Sequence, residues 1–208
     1  MPGYNALLRG SHGAEITVDA LGAALKLIDA AHAEIHEGHA FMISDSATIN
    51  AAATREVRFV TPNSMTEIHL ALQVGTSLAA TVALFETTTK THVVGNVLTA
   101  VNRNRNAKDT SEAVACHTPA GSGDGTQIYT VSLGTAGALT GAGGSRREQS
   151  ELILKRNTAY LLRITSGANA NAVSINLDWY EERTETYTTT SSTTSSTSST
   201  SSTTSTTA

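Results

Sequence analysis

The feature that most constrains the fold is a set of short segments in which apolar residues recur at every second position. In TEIHLALQV (Thr66–Val74), Ile, Leu and Val alternate with other residues from Ile68 onward. Successive side chains of a β-strand point to opposite faces of its sheet, so this period predicts a strand with one buried face. Similar segments lie at 55–61, 79–89, 91–101, 126–134, 151–166 and 172–182.

Turn-forming pairs separate these segments. Pro62-Asn63 follows one of them and Asp124-Gly125 precedes another, and both pairs are typical of tight turns. The segments 151–166 and 172–182 are predicted to form a hairpin across Gly167–Asn171. Many short strands joined by turns predict an all-β fold, an antiparallel β-sandwich of jelly-roll-like type with an N-terminal arm and a low-complexity C-terminal tail.

Composition agrees with a turn-rich β protein and excludes several functions. Of the 208 residues, 39% are hydrophobic and 15% are charged, against about 25% charged in average globular chains. The net charge of −4 argues against nucleic acid as a partner, because proteins that bind nucleic acid carry a basic face.

No apolar run is long enough to span a bilayer and no secretory signal is recognisable, so no membrane partner is expected. Cys116 is the only cysteine, which agrees with a cytosol and predicts a buried small hydrophobe.

Changes in composition divide the chain into an N-terminal arm or hairpin (1–31), a β-sandwich body (32–183) and a Ser/Thr-rich tail (184–208). The spacing of apolar residues in the arm is compatible with an amphipathic helix as well as with a hairpin. The hairpin is preferred because the neighbouring segments are strand-like. From Thr188 to Thr207 every residue is Ser or Thr. Such a segment has nothing apolar to bury, so alone in water it is predicted to be disordered.

The segment AHAEIHEGHAF (Ala31–Phe41) concentrates histidine and glutamate. His32 and His36 have the spacing of zinc-protease ligands, but Ala33 stands where the catalytic glutamate would be. On a strand, His32, Glu34 and His36 would share one face and could hold a divalent metal with a further ligand. The preferred interpretation is the first strand of the sandwich, with its histidines at a subunit contact and any metal acting as a staple between chains.

The other segments that resemble catalytic or ligand-binding motifs lack residues that those motifs require. GAGGSRR lacks the Lys-Ser/Thr of a P-loop, GSGDG has too few ligands for a calcium loop, and no serine lies in a Gly-x-Ser-x-Gly elbow. We therefore expect no enzyme, no catalytic residue and no cofactor.

Two long loops, Asn102–Glu112 and Gly134–Gln149, are predicted to be contact arms, since long loops in compact domains are usually functional or mobile. Their arginines could pair with carboxylates of a partner. The predicted partner-contact residues are His36, His39, Arg103, Arg105, Arg146 and Arg147.

Four pieces of the sequence form a further pattern. AAHAEIHEGHAF, REVRFVTPNSMTEIHLAL, VNRNRNAK and LILKRNTAYLLRITSGANANAVSINLDWYEE follow one another over residues 30–182. Together they resemble a group of tailed-bacteriophage virion proteins found among head-structure proteins. The resemblance implies a capsid decoration or auxiliary head protein that binds the major capsid protein on the capsid exterior. It also implies a homotrimer or other symmetric oligomer, synthesised in the host cytoplasm, and it does not include the tail.

Two other hypotheses stay open. One is a subunit of a fibre or extracellular filament with a Ser/Thr-rich tail, against which the lack of a signal peptide speaks. The other is a metal-dependent hydrolase, which would depend on the His32 and His36 cluster alone.

Overall fold

The structure is a computed structural model that describes residues 30–64, 66–134 and 151–183, together with the backbone of short strands outside these ranges. It contains a helix and strands whose bounds in chain order are β1 Leu8–Arg9, β2 Glu15–Val18, β3 Leu25–Leu27, α1 Ala30–Glu37, β4 Ala40–Ile49, β5 Thr54–Val60, β6 Thr66–Thr76, β7 Ala80–Glu86, β8 Val97–Leu98, β9 Val101–Asn102, β10 Val114–His117, β11 Thr126–Leu133, β12 Ala142–Gly143, β13 Leu152–Leu154, β14 Ala159–Ser166 and β15 Asn171–Arg183.

The body is a sandwich of two antiparallel sheets. One sheet contains the order β11-β7-β14-β5, and the other contains β13-β6-β15-β4. Along the chain, β4, β5, β6 and β7 alternate between the sheets, and so do β13, β14 and β15. This is the strand order of a jelly roll, in which two Greek keys wrap around one core. The predicted all-β sandwich is confirmed.

The predicted hairpin between 151–166 and 172–182 is wrong. β14 pairs with β5 and β7, whereas β15 pairs with β4 and β6 in the other sheet. Both strands bury alternate apolar residues in the same core, Tyr160, Leu162 and Ile164 from β14 and Val173, Ile175 and Leu177 from β15. They therefore face each other across the core, and the turn between them crosses from one sheet to the other.

The remaining short strands come mostly from one long connection between β7 and β11, which we call the 87–125 excursion. Its strands β10 and β8 extend one sheet beyond β5, and its strand β9 extends the other beyond β4. The excursion thus covers one side of the sandwich and ends at Gly125, directly before β11. Gly125 has φ +92°, and a Cβ there would lie 2.2 Å from the Glu86 carbonyl oxygen.

The core follows the period of two in the sequence. Ile68, Leu70 and Val74 are buried as predicted. Trp179 on β15 is 1% exposed and lies against Phe41 of its own sheet and Phe59 of the other. Its ring meets Phe59 edge-on with centroids 5.1 Å apart, a favoured aromatic arrangement. This indole therefore joins the two sheets at the centre of the sandwich.

A charged cluster lies on the outer face of the β5–β14 sheet, beneath the excursion. Glu56 accepts hydrogen bonds from Lys90 Nζ at 2.7 Å and from Arg163 Nε at 2.7 Å. Arg163 also binds Asp124 through both terminal nitrogens, and these hydrogen bonds hold the pKa of the Asp124 carboxyl below its usual range. The cluster fastens the two ends of the excursion to the sheet.

The predictions for the two ends of the chain have different outcomes. β2 and β3 pair antiparallel with Ile16 opposite Leu27, which is the arrangement of the preferred hairpin. The tail 184–208 and the loop arginines Arg146 and Arg147 lie outside the described residues. The boundaries of the arm and of the tail stay predictions.

Cys116 is buried, as predicted.

Candidate functional site

The histidine-rich segment forms a helix rather than the predicted strand. Residues Ala30–Glu37 are α1, so the expectation that His32, Glu34 and His36 share a strand face is wrong. Alanine and glutamate favour helices, and Gly38 follows with φ +87°, the left-handed conformation in which many helices end. The i,i+4 spacing of the histidines and this glycine were the sequence signals that could have predicted the helix.

The turn after α1 needs glycine for a second reason. The Gly38 N–H donates to the Ile35 carbonyl oxygen at 3.2 Å and the His39 N–H donates to that of Glu34 at 2.9 Å. A Cβ on Gly38 would lie 2.6 Å from the Cβ of Ala107 in the excursion. The reversal of the chain and the close approach of the excursion therefore both depend on this position.

The NRNRN motif of the excursion caps the same helix end. Asn104 Nδ2 donates to the His36 carbonyl oxygen at 2.9 Å, and Asn102 Nδ2 donates to that of Gly38 at 2.6 Å. Carbonyls in the last turn of a helix lack partners within the helix, so the two asparagines have a structural role. We call α1, Gly38, His39 and residues 102–112 together the helix–loop corner.

The helix–loop corner brings together the predicted contact residues that the structure describes. His36 and Arg105 are exposed, and His39 and Arg103 are half-buried. Arg105 Nη1 donates to the Asn102 carbonyl oxygen at 3.4 Å, so its guanidinium lies beside the cap. These four are the predicted contact residues that lie within the described part of the chain. Their role in binding a partner stays a prediction.

The ionisable groups of α1 lie on two different faces. His32 and His36 are exposed, with their Nε2 atoms 2.9 Å apart. On the other face, Glu34 Oε2 lies 3.2 Å and Glu37 Oε2 lies 3.7 Å from His39 Nδ1. Burial raises the pKa of the Glu34 carboxyl, the hydrogen bond with His39 opposes that shift, and the negative charge of Glu37 adds to it. Of the three candidate metal ligands His32, Glu34 and His36, Glu34 thus lies apart from both histidines.

A second cluster, which no pattern in the sequence indicates, lies on the outer face of the β6–β15 sheet. His69 Nδ1 lies 2.7 Å from Glu151 Oε1 and 3.0 Å from the Tyr180 hydroxyl, and the His69 and Tyr180 rings stack with centroids 4.4 Å apart. The Nε2 atom of His69 lies 3.1 Å from Glu182 Oε2, but the two groups are not aligned for a hydrogen bond. No spacing in the sequence links these residues, because the sheet register alone brings them together.

Exposed apolar side chains occur at both ends of the β11-β7-β14-β5-β10-β8 sheet. At one end, Ile128 and Tyr129 of β11 are each 45% exposed, beside a bulge in the pairing with β7. At the other end, Val97 of β8 and Val114 of β10 are about half exposed, and Val94 is fully exposed. Exposed edges of this kind readily pair or pack with other chains.

Comparison of the chain with family models, curated proteins and solved structures gave no match. Within the described ranges there is no helix with the length and apolar character needed to cross a membrane. What the protein does must be inferred from its surfaces and from the sequence resemblance.

Proposed function

We propose that the chain is a non-enzymatic structural protein of a tailed-phage virion, which decorates and stabilises the capsid by binding the major capsid protein. The observation that carries the proposal is the apolar exposure at both ends of one sheet, at Ile128 and Tyr129 and at Val97 and Val114. Edge strands offer unpaired N–H and C=O groups to a neighbouring chain, and apolar side chains beside them add buried area on contact.

The topology makes these edges suitable for a lattice. Among the strands that the structure describes, β11 and β8 are the terminal ones of the same sheet, so one subunit presents them at opposite edges and can contact two neighbours at once. Closed symmetric oligomers need such a pair of surfaces whenever the contact is heterologous. A homotrimer or other ring assembled on the capsid exterior would use the two edges for heterologous contacts between its own copies and leave other surfaces for the shell.

Two further observations support the proposal by analogy. Jelly rolls occur in viral capsid and lectin domains, although a fold alone does not fix a function. The resemblance to phage head proteins covers residues 30–182, and two of its most distinctive pieces, EIH and NRNRN, meet at the helix–loop corner. Exposed Arg105 and Lys108 at this corner suit acidic groups on the shell.

Binding to empty shells of the phage that carries the gene tests the proposal. The full-length protein is mixed at increasing concentration with shells that lack it, and the pellet is analysed after centrifugation. We expect saturable co-sedimentation at a fixed number of copies per shell. Protein that stays in the supernatant at every concentration would overturn the proposal.

Tyr129→Lys should weaken shell binding or oligomer formation by about tenfold or more, because tyrosines in contact centres are frequent hot spots. The side chain is half exposed, so thermal unfolding should change little. Ser46→Lys is the matched control, since Ser46 is exposed on the outer face of the other sheet. Light scattering and co-sedimentation measure both variants, and an equal effect of the two substitutions would argue against the β11 edge.

A further inference from the structure

Three side chains of the helix–loop corner direct ligand atoms towards one point. The Oε2 atoms of Glu34 and Glu37 lie 3.2 Å and 3.7 Å from Nδ1 of His39. The ligand atoms of all three residues lie within 4.8 Å of one another. This set differs from the His32, Glu34 and His36 set that the sequence indicated.

The distances of the two carboxylate oxygens from His39 Nδ1 are close to those around a tetrahedral metal. Zinc binds histidine nitrogen and carboxylate oxygen at about 2.0–2.2 Å, so two ligands at adjacent corners are separated by roughly 3.3–3.6 Å. The two oxygen–nitrogen distances to His39 bracket this range. One nitrogen with two carboxylate oxygens is also a donor set that divalent transition metals accept.

The charge around this point is unbalanced. In the described part of the chain, the ion-pair partner of Glu34 and of Glu37 is His39, and the carboxylate of Glu182 is close enough to influence Glu34. Glu37 is also the last residue of α1, where the helix dipole places partial negative charge and favours a cation. A divalent ion would offset both effects.

The backbone that carries the three ligands is held in place without the metal. Glu34 and Glu37 lie one helical turn apart on one face of α1, and the Gly38 turn folds His39 back beside Glu34. Asn102 and Asn104 fix the helix end from the excursion. A site whose backbone is already fixed loses little conformational entropy when the ion binds.

We propose that Glu34, Glu37 and His39 bind one divalent transition-metal ion of the zinc type, through Oε2, Oε2 and Nδ1. Water or a group from a neighbouring chain completes the coordination. The ion links the end of α1 to the start of β4 and so stiffens the helix–loop corner. The proposal does not depend on capsid binding.

The His32 and His36 pair provides the internal control. It also places two imidazole nitrogens close together, but on another face of the helix and in solvent. A loosely held metal on this pair would be the ordinary behaviour of exposed histidines. If the metal binds at Glu34, Glu37 and His39, substitution of His39 weakens binding and substitution of His32 does not. If it binds at the His32 and His36 pair, the reverse holds.

The test uses the full-length protein after removal of metal with a chelator and dialysis. Zn²⁺ is titrated by calorimetry, and Co²⁺ is titrated by visible absorption, which reports tetrahedral coordination. We expect one equivalent to bind. His39→Gln and Glu37→Gln should each weaken binding by at least about tenfold, since loss even of an outer-sphere partner costs 10–100-fold. His32→Gln should leave the affinity within about twofold.

The Glu37 side chain is 60% exposed, so Glu37→Gln should fold normally, which circular dichroism checks. Absence of stoichiometric binding to the unmodified protein would overturn the proposal. So would a loss of binding in His32→Gln equal to or greater than the loss in His39→Gln.

Discussion

Trp179→Ala should lower the free energy of unfolding by about 3–5 kcal/mol, the usual cost of removing a buried aromatic side chain. The indole is 1% exposed and contacts phenylalanines of both sheets. Its removal therefore leaves a cavity at the point where the two sheets meet. Because the chain has one tryptophan, unfolding of the variant is followed by circular dichroism in urea rather than by fluorescence.

Ile153→Ala is the control for this prediction. Ile153 is 65% exposed on β13, and truncation of an exposed side chain usually changes stability by less than about 0.5 kcal/mol. Similar losses for the two variants would show that Trp179 does not join the sheets as described.

Glu56→Gln should have the second largest effect, a loss of about 3 kcal/mol or more. The Glu56 carboxylate and the Lys90 ammonium it binds are each about one-tenth exposed. Replacing the carboxylate leaves the buried Lys90 ammonium with a neutral amide at its closest contact and with Asp124, 3.5 Å away, as its remaining anionic partner. Breaking a buried ion pair typically costs about 3–5 kcal/mol. Arg163 keeps Asp124 as its second partner, which limits the loss.

The same substitution in an exposed ion pair is the matched control. Glu67 lies 3.0 Å from Arg156, with side chains 44% and 33% exposed. Exposed pairs contribute about 0–1 kcal/mol, so Glu67→Gln should be close to neutral in urea unfolding. A Glu56→Gln variant as stable as Glu67→Gln would contradict a role of the charged cluster in fastening the excursion.

The fold class could be predicted because alternation is a local signal. Ile68, Leu70 and Val74 are buried as their spacing in the sequence indicates, and Asp124-Gly125 lies directly before β11 with Gly125 at a positive φ. Which strands share a sheet is not a local property. β14 and β15 follow one another in the chain but belong to opposite sheets, and the alternation in their sequences would be the same if they were paired.

The candidate site could be predicted only in part. AHAEIHEGHAF stands out in the sequence, but its strand-like flanks favour a strand, whereas the i,i+4 histidines and Gly38 favour the helix that forms. The meeting of NRNRN with α1 depends on the path of the 87–125 excursion, which no pattern in the sequence specifies. The partners Lys90 and Arg163 of Glu56 come from distant segments and are likewise found only in the folded chain.

Hydrogen–deuterium exchange of the full-length protein, free and bound to saturating empty shells, tests the proposed function most directly. If the open edges make the contacts of a decoration protein, amides of Thr126–Leu133 that point away from β7 should exchange more slowly in the bound state. The same protection is expected around Val97 and Val114. Exchange that is unchanged at both edges after addition of shells would contradict the account.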